Sequence, residues 1–114
     1  MKILYKKRGV DISIKETRFF GKSFGLMFKG RNTKNLLFVF SKSSRAVLTS
    51  LFVFFPFIAV WLDSKNTVVD WKFVRPFSIV ISTTKKFEKI IEIPINYQNR
   101  KVIEFFVDDC SVRY

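Results

Sequence analysis

Histidine is missing from all 114 residues, and cysteine occurs once, as Cys110. The first absence removes the usual general base, the Ser–His and Cys–His pairs and the commonest metal ligand. The second excludes an intramolecular disulfide and a thiolate zinc site built from this chain alone. Glycine is scarce, and Gly9, Gly21, Gly25 and Gly30 match neither standard spacing of a phosphate-cradling loop. Asp108–Asp109 is the only adjacent carboxylate pair and reads as a solvated turn; its charge also disfavours the Cys110 thiolate. No catalytic, cofactor-binding or metal-ligating residue is therefore expected, and the chain reads as a non-enzyme. The start, MKILYKKRG, lacks the apolar run of a signal peptide, so a cytoplasmic protein is expected.

Negative charge is the other scarce commodity. There are 21 Lys and Arg against 9 Asp and Glu, a net charge of +12, and no acid stands between Glu16 and Asp63. Residues 1–34 carry ten basic and two acidic side chains, so most of the excess lies in the first third. This asymmetry fits a polyanionic partner, and it equally fits a solvating face in a lysine-rich proteome. Lys22, Lys29, Arg31, Lys34, Lys42 and Arg45 are the candidate polyanion-contacting residues. They are interleaved with Phe19, Phe20, Phe24, Phe28, Phe38 and Phe40, most of them read as core.

Apolar material is abundant, at 48% of residues with 15 Phe, enough for a core and too much for disorder. The length fits one domain, 1–114. Ala46–Leu62 is free of charge and at the lower limit of a membrane-spanning helix. Pro56 in its middle and its Val, Ile, Phe and Trp content oppose that helix. Two strands flanking Pro56 are expected instead.

Elsewhere short strands alternate with turn residues. Gly9–Lys15 alternates with period two, and Leu36–Phe40 reads as a strand buried on both faces. Thr17–Phe24 reads as a helical turn capped by Thr17 and stopped at Gly25. Ser64–Asn66 should turn a hairpin between Ile58–Leu62 and Thr67–Val74, with Trp61 and Trp71 in or near the core. In the second strand Val69, Trp71 and Phe73 are expected on one face. Phe77–Ser82, Phe87–Ile93 and Val102–Val107 read as further strands, with Pro94 ending the second. About eight short strands predict an all-β fold, a single small barrel or sandwich.

GLMF (Gly25–Phe28), LLFVF (Leu36–Phe40), LFVFFPFIAVWLD (Leu51–Asp63), VVDWKFVRPF (Val68–Phe77) and FEKIIEIP (Phe87–Pro94) follow one another. This order resembles family 192 of the domains of unknown function, an uncharacterised archaeal and bacterial family, over roughly Thr17 to Asp109. The resemblance implies an all-β domain of the short branch with no established activity. Thr49 and Ser50 stand where that branch has His-Met, and Ile58 where the family has Asp, so a polar site of relatives is absent here. Asp63, Asp70, Pro76 and Glu92 match family positions and read as turn geometry and strand pairing. Two functional classes follow: a non-catalytic binding or structural module with a basic surface, or a module for single-stranded nucleic acid. Association with an anionic membrane surface is a third, weaker reading.

Overall fold

The computed structural model describes residues 1–18, 34–44, 55–76 and 83–111. Seven strands precede one short 3-10 turn and one helix: β1 (Lys2–Tyr5), β2 (Arg8–Asp11), β3 (Ile14–Arg18), β4 (Asn35–Ser44), β5 (Phe57–Leu62), β6 (Val68–Val74), β7 (Phe87–Pro94) and α1 (Arg100–Ser111). β1 and β2 form an antiparallel hairpin, and the others a five-stranded sheet in the order β3-β4-β7-β5-β6. The β3–β4 pair is parallel and the remaining pairs are antiparallel. The fold is mostly β, as expected, and its sheet is open, with no barrel closure among the described residues.

The continuous apolar runs become central strands. β5, FIAVWL, is buried at every position because β6 and β7 flank it and both of its faces are covered. On one face Leu37, Ile58, Val60, Leu62, Ile91 and Ile93 meet Val102 and Phe106 of α1 and Ile3 and Ile12 of the hairpin segment. On the other, Leu36, Phe38, Phe57, Ala59, Trp61, Val74 and Ile90 form a second cluster with Phe55 and Phe87. Each such side chain contributes about 1.5–3 kcal/mol on leaving water, so β5 and β7, which feed both clusters, anchor the molecule.

The β5–β6 hairpin forms as the sequence predicts. Asp63 Oδ1 accepts from the backbone N–H of Lys65 and of Thr67, each at 2.9 Å, and Asn66 takes the left-handed conformation (φ 63°). Pairing then shifts: Trp61 faces Asp70 while Leu62 faces Val68, leaving Val69 as the extra residue. The shift breaks the expected shared face, since Val69 packs on the Trp61 side and Trp71 on the helix side. Trp61 is fully buried and Trp71 half-buried, its ring tilted 42° against Phe106 at 5.3 Å and its Nε1–H donated to Tyr5 Oη.

Five local expectations need correction or fall outside the described residues. Val102–Val107 is not a strand but lies within α1. Its buried residues, Val102 and Phe106, stand four apart, a helical spacing, and pack on the sheet together. Thr17 and Arg18 end strand β3 and do not open a helical turn; the rest of that segment lies outside the described residues. The Gly9–Lys15 strand is divided at Ile12–Ser13, where the chain leaves the hairpin and enters the large sheet. Phe77–Ser82 and the strand expected before Pro56 lie outside the described residues, where β5 supplies the strand after it. Among the described residues no helix is long and apolar enough to cross a membrane.

Candidate polyanion-contacting surface

Of the six basic candidates, Lys22, Lys29, Arg31 and Arg45 lie outside the described residues. Lys42 is on β4, and Lys34 is exposed immediately before β4 begins. Phe38, one of the interleaved aromatics, is core.

Lys34 adjoins a tie that sequence order does not announce. Asn35, next in the chain, donates from Nδ2 to Asn99 Oδ1 and to the Ser13 carbonyl, both at 2.9 Å. Asn99 in turn donates from Nδ2 to the Pro94 carbonyl at 2.8 Å, and Asn96 Oδ1 accepts from the Asn99 N–H. This buried amide chain clips the start of β4 to the turn that opens α1. Lys34 is the residue before this clip, and the turn that the clip holds contains Tyr97 and leads into Arg100 and Lys101. There Tyr97 is 77% exposed, the highest value of the exposed large apolar side chains among the described residues. The Arg100 guanidinium lies 4.2 Å from its ring centroid and donates to the Tyr97 carbonyl at 3.2 Å. Lys101 is exposed, and no acid lies in the first turn of α1. Sequence reasoning missed Tyr97, Arg100 and Lys101, although the Tyr-x-x-Arg spacing was visible, because the helix that gives it meaning was read as a strand.

A second basic feature is the β1–β2 turn. Tyr5 pairs with Arg8, so Lys6 and Lys7 are the two central residues, and both have positive φ (50° and 66°). Such turns favour Asn-Gly. Arg8 is held over the Phe105 ring at 5.0 Å and donates to the Phe105 carbonyl.

Among the described residues the sheet interior holds one acid. Glu92, on the central strand β7, is 4% exposed, and burial pushes its carboxyl up to about 8. It pairs with Leu36 on β4 and Ala59 on β5, so it projects into the cluster of Phe38, Phe57 and Trp61. Strand pairing therefore accounts for its backbone and not for its carboxyl. Among the described residues no group of three or more acidic or cysteine side chains is placed to hold a metal.

No family model matches the chain, and no curated protein does. Two solved structures share the fold. One, from Sinorhizobium meliloti 1021 and provisionally described as a transcription regulator, is 15% identical with a TM-score of 0.72, covering 89% of this chain and 82% of that one. The other, a protein of unknown function from Novosphingobium aromaticivorans DSM 12444, is 12% identical with a TM-score of 0.69, covering 88% and 74%. At these identities the likeness is one of fold.

Proposed function

We propose that the chain is a non-catalytic binding module whose basic surface takes up single-stranded nucleic acid. The observation that supports this best is the exposed Tyr97 ring with the Arg100 guanidinium 4.2 Å from its centroid. Single strands are held by aromatic faces on which bases stack and by cations that track the phosphates. Arg100 packs over the ring, which stays 77% exposed, and Lys34, Arg100 and Lys101 supply the charge. No base-reading motif is visible, so binding is indifferent to sequence.

Titration of a short labelled oligothymidylate at roughly 50 mM salt, followed by anisotropy, tests the reading. Tyr97→Ala should weaken binding about 5- to 100-fold, the worth of one stacked base. Replacing Lys34, Arg100 and Lys101 by Glu should abolish it, and Lys29→Glu, Arg31→Glu and Lys34→Glu together should do the same if the preceding basic segment contributes. Absence of binding by the parent chain, or equal binding by Tyr97→Ala, refutes the proposal.

A further inference from the structure

Met1–Val10 holds Lys2, Lys6, Lys7 and Arg8 and no acid. The β1–β2 hairpin gathers these cations toward one end. Lys6 and Lys7 are the two turn residues, and both are exposed. The Lys6 ammonium lies 5.4 Å from the Tyr5 ring centroid. Gly9 stands next to Arg8, nearer the turn than Lys2. A Cβ added to Gly9 would meet Lys2 Cε at 2.6 Å and Nζ at 3.5 Å, so the missing side chain leaves room for the Lys2 stem to run toward the turn. Arg8 is anchored on α1, with its guanidinium 5.0 Å from the Phe105 ring centroid and a hydrogen bond to the Phe105 carbonyl at 3.2 Å.

Two features of this tip oppose folding. Both lysines have left-handed backbone, φ 50° and 66°, where a Cβ is strained and Asn-Gly is the favoured pair. Like charges set side by side add repulsion. The hairpin does not depend on either lysine for its packing: Ile3 is fully buried, and Tyr5 and Val10 pack against the same core cluster. Strained backbone held in place by its surroundings recurs where chains clamp ligands. An anion seated on this tip would relieve the repulsion that the fold tolerates.

We infer that the Lys6-Lys7 tip, flanked by Lys2 and Arg8, is a second contact point for the phosphates of a single-stranded nucleic acid, an inference that rests on the function proposed above. Arg8 is anchored at Phe105, which follows Tyr97 by eight residues along one run of 3-10 turn and helix. At about 1.5 Å per residue that run spans about 12 Å. Even at the compact spacing of duplex DNA, about 3.4 Å per nucleotide, a strand of four or more nucleotides covers it. One base stacks on Tyr97, and phosphates further along the strand meet the tip. The acids nearest in sequence or register are Glu104, beside Phe105, and Asp11, opposite Lys2 at the end of the hairpin away from the turn.

Lys6→Asn combined with Lys7→Gly separates the two roles, because it suits the turn and removes two charges. Binding of a ten-nucleotide oligothymidylate is followed by anisotropy over a series of salt concentrations, with a thermal melt alongside. On a single strand each neutralised phosphate contributes about 0.7 to the slope of log affinity against log salt. The double variant should therefore lower the slope by about 1.4 and weaken binding at roughly 50 mM salt about tenfold or more. Tyr97→Ala should weaken binding with the slope unchanged. Lys6→Arg with Lys7→Arg keeps both charges and should bind like the parent; loss of binding there would tie the effect to the shape of the turn and overturn the inference. Parent-like affinity and slope in the Asn-Gly variant would overturn it while leaving the proposed function standing. No binding by the parent would overturn both.

Discussion

Glu92→Gln should make the protein more stable and flatten its stability against pH. In the unfolded chain this carboxyl titrates near 4.5; in the folded one burial raises it to about 8. Between those values the folded state binds the extra proton, so unfolding releases it and stability falls as pH rises. Each unit of pKa difference is worth about 1.4 kcal/mol. Integrated over the titration, burying the group costs roughly 1 kcal/mol at pH 5 and roughly 3 kcal/mol at pH 7. Above pH 8 the penalty approaches about 5 kcal/mol, and below pH 4.5 it vanishes. The chain has no histidine, so no ordinary side chain titrates between pH 5 and 8 to obscure this. Urea unfolding at half-unit pH intervals across that window measures it directly. The parent should lose about 3 kcal/mol from pH 5 to 8, and Glu92→Gln, isosteric and never charged, should lose almost none. A flat profile for the parent, or the same slope in the variant, would show that burial of this carboxyl does not set the pH dependence.

Two further outcomes rest on geometry alone. Replacing Lys6-Lys7 by Asn-Gly should stabilise the protein by about 1–2 kcal/mol in urea titrations, because both lysines occupy left-handed backbone that Asn and Gly adopt with less strain; loss of stability would mean that the turn is not of this type. Trp61→Ala should cost about 3–5 kcal/mol and Trp71→Ala less, since only the first is fully enclosed; the reverse ranking would put the helix side, not the Glu92 side, at the centre of the core.

Sequence legibility followed the physics of each element. The β5–β6 hairpin was readable because Asp63, Asn66 and the flanking apolar strands act locally: a carboxylate that accepts two nearby N–H groups and an Asn that tolerates positive φ. α1 was not, because VIEFFV is too short and too rich in β-branched and aromatic residues for its period to stand out from a strand's. Tertiary packing of Val102 and Phe106 on the sheet decided it. The face of Val69 was hidden by a bulge, which changes the phase of a strand without changing its composition. For Glu92 the signal was present: it interrupts IIEIP, and in a strand covered on both faces no position is left for a polar side chain to reach water. Lys34 was legible as a charge, but the tie between its neighbour Asn35 and the turn before α1 depends on the Asn35–Asn99 bond across 64 residues.

Salt separates the proposed nucleic-acid surface from the buried Glu92. Loss of hydration on burial is what raises the Glu92 carboxyl. Surface charges are screened within about 8–10 Å at physiological salt, whereas the penalty on a buried carboxyl arises from its immediate surroundings and persists. Contacts made by Lys34, Arg100 and Lys101 with a phosphate backbone should therefore weaken steeply as salt rises, because bound counterions are released into a more concentrated solution. The protonation midpoint of Glu92 should move little over the same range. A Glu92 midpoint that followed salt as steeply as oligothymidylate binding would place the carboxyl within reach of solvent ions and refute its burial.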